Sequence, residues 1–506
     1  MQRIPGTPDT GPVDPRRWKA LAFIGLAQLM VVLDTTVVNI ALPSAQHDLG
    51  ISDGNRQWVI TAYSLAFGGL LLFGGRIADL VGRRRMFTVG LIGFAGASAL
   101  GGAAVGTATL LAARALQGVF GALLAPAALS LLSVMFARPA ERAKAFGIYG
   151  AISGGGGALG LILGGALTEY LSWRWALFVN IPFAIAGIVG AVTVIREPAD
   201  RRSERPRLDV PGVLLATAGL VALVLGFSRA ETEGWQARGT VGLLVAAAVL
   251  LGVFVLVESR TTAPLLPLRV MTDRNRGGVY LSLGLAVVGM FGLFLFLTYY
   301  LQAVKGYSPV ATGLGFLPMI VGMVAGSTQI GSRLMNKVPP RLLMGPGFLA
   351  SALGILLLTR LTPDSPYAAL VLPAQVLLGL GMGTAFMPAT SLATHGVLPR
   401  DAGVASAMVS TSQQVGGAIG TALLNTVAGS AAHRWSGAHL AEARSLGAAQ
   451  FADRAAVHGF ATASWWAVAA LAAAAAAALI LIDAPRQGAA PADGEPAQPP
   501  VPALHG

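Results

Sequence analysis

The sequence predicts an all-α membrane protein of fourteen transmembrane helices: two pseudo-symmetric six-helix bundles plus two extra helices between them. Three observations lead there. Apolar runs recur along the whole chain, basic residues gather in alternate loops, and a set of motif residues returns about 260 positions later. Of the 506 residues 54% are hydrophobic and 11% charged, with a mean hydropathy of +0.67. A soluble domain carries roughly 25% charged residues, and continuous apolar stretches of about 18 residues or more mark membrane spans. No soluble core absorbs that much uninterrupted hydrophobe.

The expected spans are 17–44, 55–75, 86–105, 108–136, 145–170, 173–196, 209–228, 238–258, 277–303, 309–332, 341–361, 366–394, 402–430 and 458–483. An even number puts both termini on one side. Of the 35 Lys and Arg, 25 fall in the tails and the even-numbered loops. Nine fall in the opposite loops: Arg56, Arg174, Arg229, Arg238, Lys305, Arg360, Arg434, Arg444 and Arg454. Arg114 lies inside a span. Basic loops stay in the cytoplasm, so both termini are expected there, in a multi-pass protein of the inner (cytoplasmic) membrane.

The formal charge of +12 and pI near 10.6 would suggest nucleic acid in a soluble chain. Membrane orientation accounts for them here, and no nucleic-acid partner is expected. Without cysteine there is no disulfide, thiol nucleophile or thiolate metal site. The first apolar stretch follows Arg16, Arg17 and Lys19 and runs past signal-peptide length, which reads as an uncleaved first span. Residues 1–16 form a cytoplasmic tail, and the Pro-, Ala- and Gly-rich residues 484–506 a disordered one.

Internal repetition sets the domain plan. Pro139, Glu141, Gly156, Gly157 and Gly160 return as Pro399, Asp401, Gly416, Gly417 and Gly420, an offset of 260. Gly121 and Pro126 return as Gly383 and Pro388, and more weakly Gly75 and Arg85 as Gly331 and Arg341. Six spans fill only 17–196, so the excess offset holds two more. The plan is a bundle at 17–196, a linker with two extra helices at 197–276, and a second bundle at 277–483.

Ionisable groups inside a bilayer are costly and point to function. Asp34 lies about 24 Å into the first span, and Arg114 about 10 Å into the fourth from the opposite side, at ~1.5 Å per residue. The two depths let a long arginine approach the carboxylate. Burial raises a carboxyl pKa and a nearby cation lowers it, so Asp34 is the candidate proton carrier and Arg114 its tuner. That scheme requires the carboxyl to open onto a central vestibule rather than face lipid. The bland alternative is a static pair.

After the second span comes Gly74-Gly75-Arg76-Ile77-Ala78-Asp79-Leu80-Val81-Gly82-Arg83-Arg84-Arg85. Gly82 permits a tight turn, and Asp79 can accept from arginines or cap a helix. Simple positive-inside anchoring explains the arginines but not Asp79 or the glycine spacing. A latch between bundles at the cytoplasmic gate, made by Gly75, Asp79, Gly82, Arg83 and Arg84, explains both.

Gly75-x-x-x-Asp79-x-x-Gly82-Arg83-Arg84 resembles the cytoplasmic-loop signature of the major facilitator superfamily. Leu33-Asp34-Thr35-Thr36-Val37-Val38-Asn39-Ile40-Ala41-Leu42-Pro43 is similar to the opening of its fourteen-span drug:proton antiporter branch. Arg114-Ala115-Leu116-Gln117-Gly118, Trp173 to Pro182 and Ser412-Gln413-Gln414-Val415-Gly416-Gly417 agree with it. The resemblance spans nearly the whole chain. It implies the major facilitator fold, alternating access between two bundles, and proton-coupled efflux of amphipathic drugs, antibiotics or secondary metabolites. It places Asp34 on the family's membrane carboxylate, Arg114 on its fourth-span arginine, and Asp79 with Arg83 on its gate. Two departures stand out. Gly160-Leu161-Ile162-Leu163-Gly164-Gly165 has leucine where the exporter signature has proline, and Leu80 occupies a position often basic.

Gly156, Gly160, Gly164 and Gly165 are expected to serve hinge and bundle packing, because small residues let helices approach. Gln28, Thr35 and Asn39, spaced by seven and four, share a helical stripe. With Tyr63, Gln117, Tyr299, Gln302, Gln413 and Asn425 they are candidates for the substrate cavity; ordinary interhelical hydrogen bonds are the alternative. Gly155-x-Gly157-x-x-Gly160 mimics a dinucleotide motif but sits in an apolar span with no preceding strand. The histidines show no metal spacing. No cofactor is expected beyond the proton gradient, and the partners are a small amphipathic substrate, protons and lipid, for a monomer that is not an enzyme. Uptake or facilitated diffusion of a metabolite is the rival transport reading, and a membrane-embedded sensor a lesser one. The stretch 431–458 reads as the longest outside loop, amphipathic enough to lie on the outer surface as a helix and of no assigned role.

Overall fold

The computed structural model describes residues 15–51, 58–136, 138–195, 209–261, 264–395, 397 and 401–485. Most of both expected tails (residues 1–14 and 486–506) and residues 196–208, which include the start of the linker expected at 197–276, lie outside the described residues.

Fourteen long helical segments follow one another along the described chain. α1 (Arg17–Leu49), α2 (Trp58–Val81), α3 (Arg83–Gly102), α4 (Thr107–Met135), α5 (Pro139–Tyr170) and α6 (Trp175–Thr193, broken at Val179) make the first group. α7 (Val210–Glu233) and α8 (Arg238–Glu258) form a hairpin. The last group is α9 (Arg274–Tyr299), α10 (Val310–Leu334), α11 (Arg341–Leu358), α12 (Tyr367–Thr394), α13 (Ala402–Ala438) and α14 (Ala448–Leu481). Twelve of these, all but α3 and α9, are long and apolar enough to cross a membrane. The outer faces of the helices carry Ile92, Ile185, Val245, Val249 and Leu353 exposed, a surface that suits lipid and not water.

Local chemistry sets the boundaries. Gly50 ends α1 at φ +62°, the left-handed cap that glycine adopts without strain. Gly82 separates α2 from α3 at φ +114°, where a side chain would be strained. Pro139 sits in the first turn of α5, where a missing amide is harmless. Asp209 caps α7 by accepting from the Gly212 amide at 3.0 Å.

The two halves are built alike. In α5, a Cβ on Gly160 would clash with Thr36 Oγ1, and one on Gly164 would reach 2.9 Å from the Val37 Cα, so α5 packs backbone-close on α1. In α13, Gly416 and Gly420 lie in the same way against the Gly284 and Val288 carbonyls of α9. Pro126 inside α4 and Pro388 inside α12 are a second matched pair. Each half encloses its own apolar core, around Phe87, Phe94 and Phe146 in one and Phe316, Phe348 and Met344 in the other.

α7 packs on α8, α2 and α13, with Gly69 of α2 against Thr217 and Val221. The stretch 431–458, expected outside the spans and able to form a surface helix, is helical over most of its length. α13 continues to Ala438, a short helix covers Leu440–Leu446, and α14 begins at Ala448 after Gly447 at φ +77°. Trp435 stacks on His439 and meets Phe451, closing this hairpin. Polar helix ends carry no hydropathy signal, so the apolar windows stopped short of the true helix limits.

Candidate functional site

The face holding the start of α1, called here the basic face, and the interior of the first bundle carry the polar chemistry. In the interior, Asp34 of α1 is fully buried. Its Oδ2 accepts from Arg114 Nη1 of α4 at 2.6 Å, and its Oδ1 from Gln117 Nε2 at 2.8 Å and Asn180 Nδ2 of α6 at 2.7 Å. Arg114 also donates to Gln117 Oε1 at 2.8 Å and to the Val59 carbonyl of α2 at 3.1 Å. Its guanidinium lies 4.5 Å from the Tyr63 ring, a cation–π distance. Ser98 of α3 accepts from Gln117 Nε2 at 2.8 Å. Five helices thus hold one ion pair. Burying such a pair costs several kcal/mol per ion unless the remaining hydrogen bonds are made, and here both carboxylate oxygens have donors.

This geometry corrects one expectation. Asp34 faces neither lipid nor a vestibule between the bundles. Its partners come from α4 and α6, so the carboxyl is enclosed within the first bundle. The sequence singled out the carboxylate, the arginine and, as a cavity candidate, Gln117, but neither Asn180 nor Ser98. Asn180 lies in the Trp173–Pro182 motif without an assigned role, and Ser98 is one small residue among many.

On the basic face Asp79 joins the halves. Its Oδ1 and Oδ2 accept the Gly403 amide at 3.1 and 2.9 Å, in the first turn of α13, and Arg83 Nη2 donates to Oδ1 at 3.1 Å. A carboxylate at a helix N-terminus meets free amides and the positive end of the dipole. Gly75 makes room, since a Cβ there would meet the Gly403 carbonyl at 2.6 Å and Ala407 at 2.7 Å. Arg84 does otherwise. It donates to the Ala191 and Val192 carbonyls at 2.7 and 2.9 Å, clamping the end of α6 within its own bundle.

A second seam, not anticipated from sequence, lies between α5 and the other half. Arg142 Nη2 donates to Thr394 Oγ1 of α12 at 2.6 Å, and Ser327 Oγ of α10 to the Gly147 carbonyl at 3.1 Å. The repeat-related acids Glu141 and Asp401 are each paired, with Arg17 and Arg269, at 2.7 Å. Toward the far face α5 meets α10, where a Cβ on Gly313 would touch Ile162 at 3.0 Å. There too, Asp48 accepts from Trp173 Nε1 at 2.9 Å and Arg174 Nη1 at 2.5 Å. The halves therefore touch at both ends of α5.

The remaining candidates scatter. Gln28 Oε1 accepts from Tyr149 at 2.6 Å, and Thr35 bonds its own helix at the Val32 carbonyl. Asn39 is exposed; Gln302, Gln413 and Asn425 are half-buried. Tyr299 is 49% exposed, edge-on to Phe460. Gly156 packs on Leu29 and Val32 of α1, and Gly165 is buried. A groove of about 530 Å³, lined by Leu314, Leu317, Val321, Leu372, Val376 and Leu380, opens between α10 and α12 and includes none of the polar candidates.

The chain is similar to known transporters over most of its length. It is 54% identical over 479 residues to the puromycin resistance protein pur8 of Streptomyces alboniger, covering 94% of this chain and 93% of that one. It is 42% identical to the cephamycin export protein CmcT of Amycolatopsis lactamdurans, covering 81% and 85%. It is 34% identical to the tetracenomycin C resistance and export protein of Streptomyces glaucescens, covering 89% and 84%. Among solved structures, the human organic anion transporter MFSD10 superposes with a TM-score of 0.61 at 15% identity, over 90% of this chain and 99% of that one. A bacterial homolog of the human lysosomal transporter Spinster does so at 0.56 and 18%, over 92% and 97%; both show the fold alone. The Major Facilitator Superfamily model matches residues 24–421. With a helical fold of twelve candidate spans, paired halves and Asp79 bonded between them, this chain is a multi-pass membrane protein that belongs to the major facilitator superfamily of transporters.

Proposed function

We propose that this protein exports small amphipathic antibiotics or related secondary metabolites by antiport with protons. The observation that carries the export reading is the set of relatives named for resistance and export, led by the puromycin resistance protein at 54% identity over nearly the full chain. Puromycin, an amphipathic amine, is the first substrate to test. Coupling is assigned to Asp34, a membrane carboxylate with a single arginine partner. In the enclosed arrangement Asp34 is paired with Arg114. Coupling therefore requires a second state, in which α1 and α4 part, Arg114 leaves the carboxyl and Asp34 opens onto a central vestibule. Asp79 and Gly403 hold the basic face shut in the meantime.

On this reading α3 and α9 also cross the bilayer, giving fourteen spans, and both termini with the basic face lie in the cytoplasm of a monomer. The test uses everted membrane vesicles. Export predicts uptake of puromycin into them when a proton gradient, acid inside, is imposed, and none in Asp34→Asn vesicles of equal protein content. Full gradient-driven uptake by Asp34→Asn defeats the coupling assignment, and absence of gradient-driven uptake by the native chain for any compound of a puromycin, cephamycin and tetracenomycin panel defeats the export reading.

A further inference from the structure

We propose that Asp209 and Glu258 form a second proton-binding site, outside the Asp34 network, in which one proton shared between the two carboxyls clasps α7, α8 and the chain leading into α9. Glu258 ends α8 and is 3% exposed; its Oε1 and Oε2 accept the Leu265 and Leu266 amides, each at 3.2 Å. Asp209 begins α7 at 8% exposure; its Oδ1 takes the Gly212 amide, and its Oδ2 has no donor among the described residues. The Asp209 and Glu258 carboxyls are close neighbours, since both border the same glycine. Both lean over Gly212, where a Cβ would clash with Asp209 Oδ2 and come 2.6 Å from Glu258 Oε1.

Two ionised carboxylates in such a place repel, and each loses its hydration. A proton on Glu258 removes the repulsion and supplies the donor that Asp209 Oδ2 lacks. Neither acid is in an ion pair among the described residues. The elements packed on α7 offer few charges. α8 contributes only Glu258 at this end. α2 contributes Arg76, which is buried, and Asp79, which is held by Arg83 and Gly403. α13 contributes Asp401, which is held by Arg269.

The site has a mechanical consequence. Leu265 and Leu266 belong to the apolar core of the second bundle, while α7 packs on α2 of the first. Glu258 therefore fastens the extra hairpin to the chain that enters the second bundle. Release of the proton to water at the exposed Ser259–Arg260 turn leaves two facing negative charges and loosens that fastening. The inference does not rest on the substrate or on Asp34.

Because the chain has no cysteine, a spin label on Ser259→Cys reports this turn alone. In the otherwise native protein in liposomes, label mobility should rise reversibly between about pH 5 and about pH 9, the range over which a buried carboxyl pair releases its proton. Glu258→Gln should stay immobile throughout. Asp209→Asn, which removes the like charge, should displace the midpoint by more than about one pH unit and serves as the test should Glu258→Gln not fold. A label immobile at every pH in the native background, the native transition persisting in Glu258→Gln, or an unmoved midpoint in Asp209→Asn overturns the proposal. So does a transition that follows sodium concentration at fixed pH, which would assign the site to a metal cation.

Discussion

Asp79 on α2 binds the backbone amide of Gly403, 324 residues further along the chain, through both carboxylate oxygens. One side chain thereby links the two halves at the first turn of α13, and Arg83 on the neighbouring helix holds it in position. Hydrogen bonds to a charged group are worth about 1.5–3 kcal/mol. Asp79→Ala should therefore populate a state open at the basic face roughly tenfold more or beyond. Alkylation of Ala407→Cys, which faces Gly75, reads that opening. An unchanged alkylation rate in Asp79→Ala would mean that the latch holds nothing shut.

The Asp34 carboxylate takes one of its three donors from Asn180. Asn180→Leu is close in size but leaves Oδ1 one bond short in a water-free setting. The expected loss is ~1–3 kcal/mol of stability, seen as a lower unfolding midpoint in detergent, with weaker transport. Asn180→Asp should be worse, because it sets a second acid beside the first. Equal stability of Asn180→Leu would show that Gln117 and Arg114 suffice.

Gly160 and Gly157 lie one turn apart on α5 and should respond oppositely. A Cβ on Gly160 collides with Thr36 Oγ1, whereas one on Gly157 meets only Phe294 Cζ at 3.6 Å, an ordinary contact. Overpacking costs roughly 1–3 kcal/mol. Gly160→Ala should lower the folded yield in membranes and Gly157→Ala should not. Fluorescence-detected size-exclusion profiles compare the two, and similar profiles would refute close α1–α5 packing.

His395, exposed at the end of α12, has its pKa lowered below the ordinary 6.5 by partial burial and by the cations of Arg142 and Arg276. A depressed folded pKa means that protonation is resisted in the closed structure. The associated stability is complete above pH 6.5 and is lost as pH falls through the lowered value. Acidification should weaken the Arg142–Thr394 seam in the native protein but not in His395→Gln. Melting curves taken on both sides of pH 6.5 check this; identical pH dependence in the two proteins contradicts it.

Much of the fold was legible because apolar length and loop charge are local properties of the chain. Leu243 to Val257 reads as a span however the rest folds, and indeed α8 ends at Glu258. The paired glycines, Gly160 with Gly420 among them, were visible because duplication preserves spacing. Helix ends were less legible. α14 starts at Ala448, not 458, since its first turns leave the apolar zone while remaining helical.

At the site, Asp34, Arg114 and Asp79 announced themselves because a charge in an apolar run is rare and costly. The direction each one faces could not be read in this way. Whether Asp34 opens between the bundles or into one of them depends on where Asn180 and Gln117 point, and that follows from how α4 and α6 rotate in the packed bundle. Arg84 binding the end of α6, Arg142 reaching Thr394, and Glu258 meeting Asp209 are likewise encounters between residues distant in sequence. By itself the sequence determined that the chain lives in a membrane, where most of its apolar helices lie, and which rare charges it keeps, since hydration free energy acts on each residue separately. Only the tertiary structure decided which charge meets which donor, because contacts between helices depend on rotation and depth, and one-dimensional spacing carries neither.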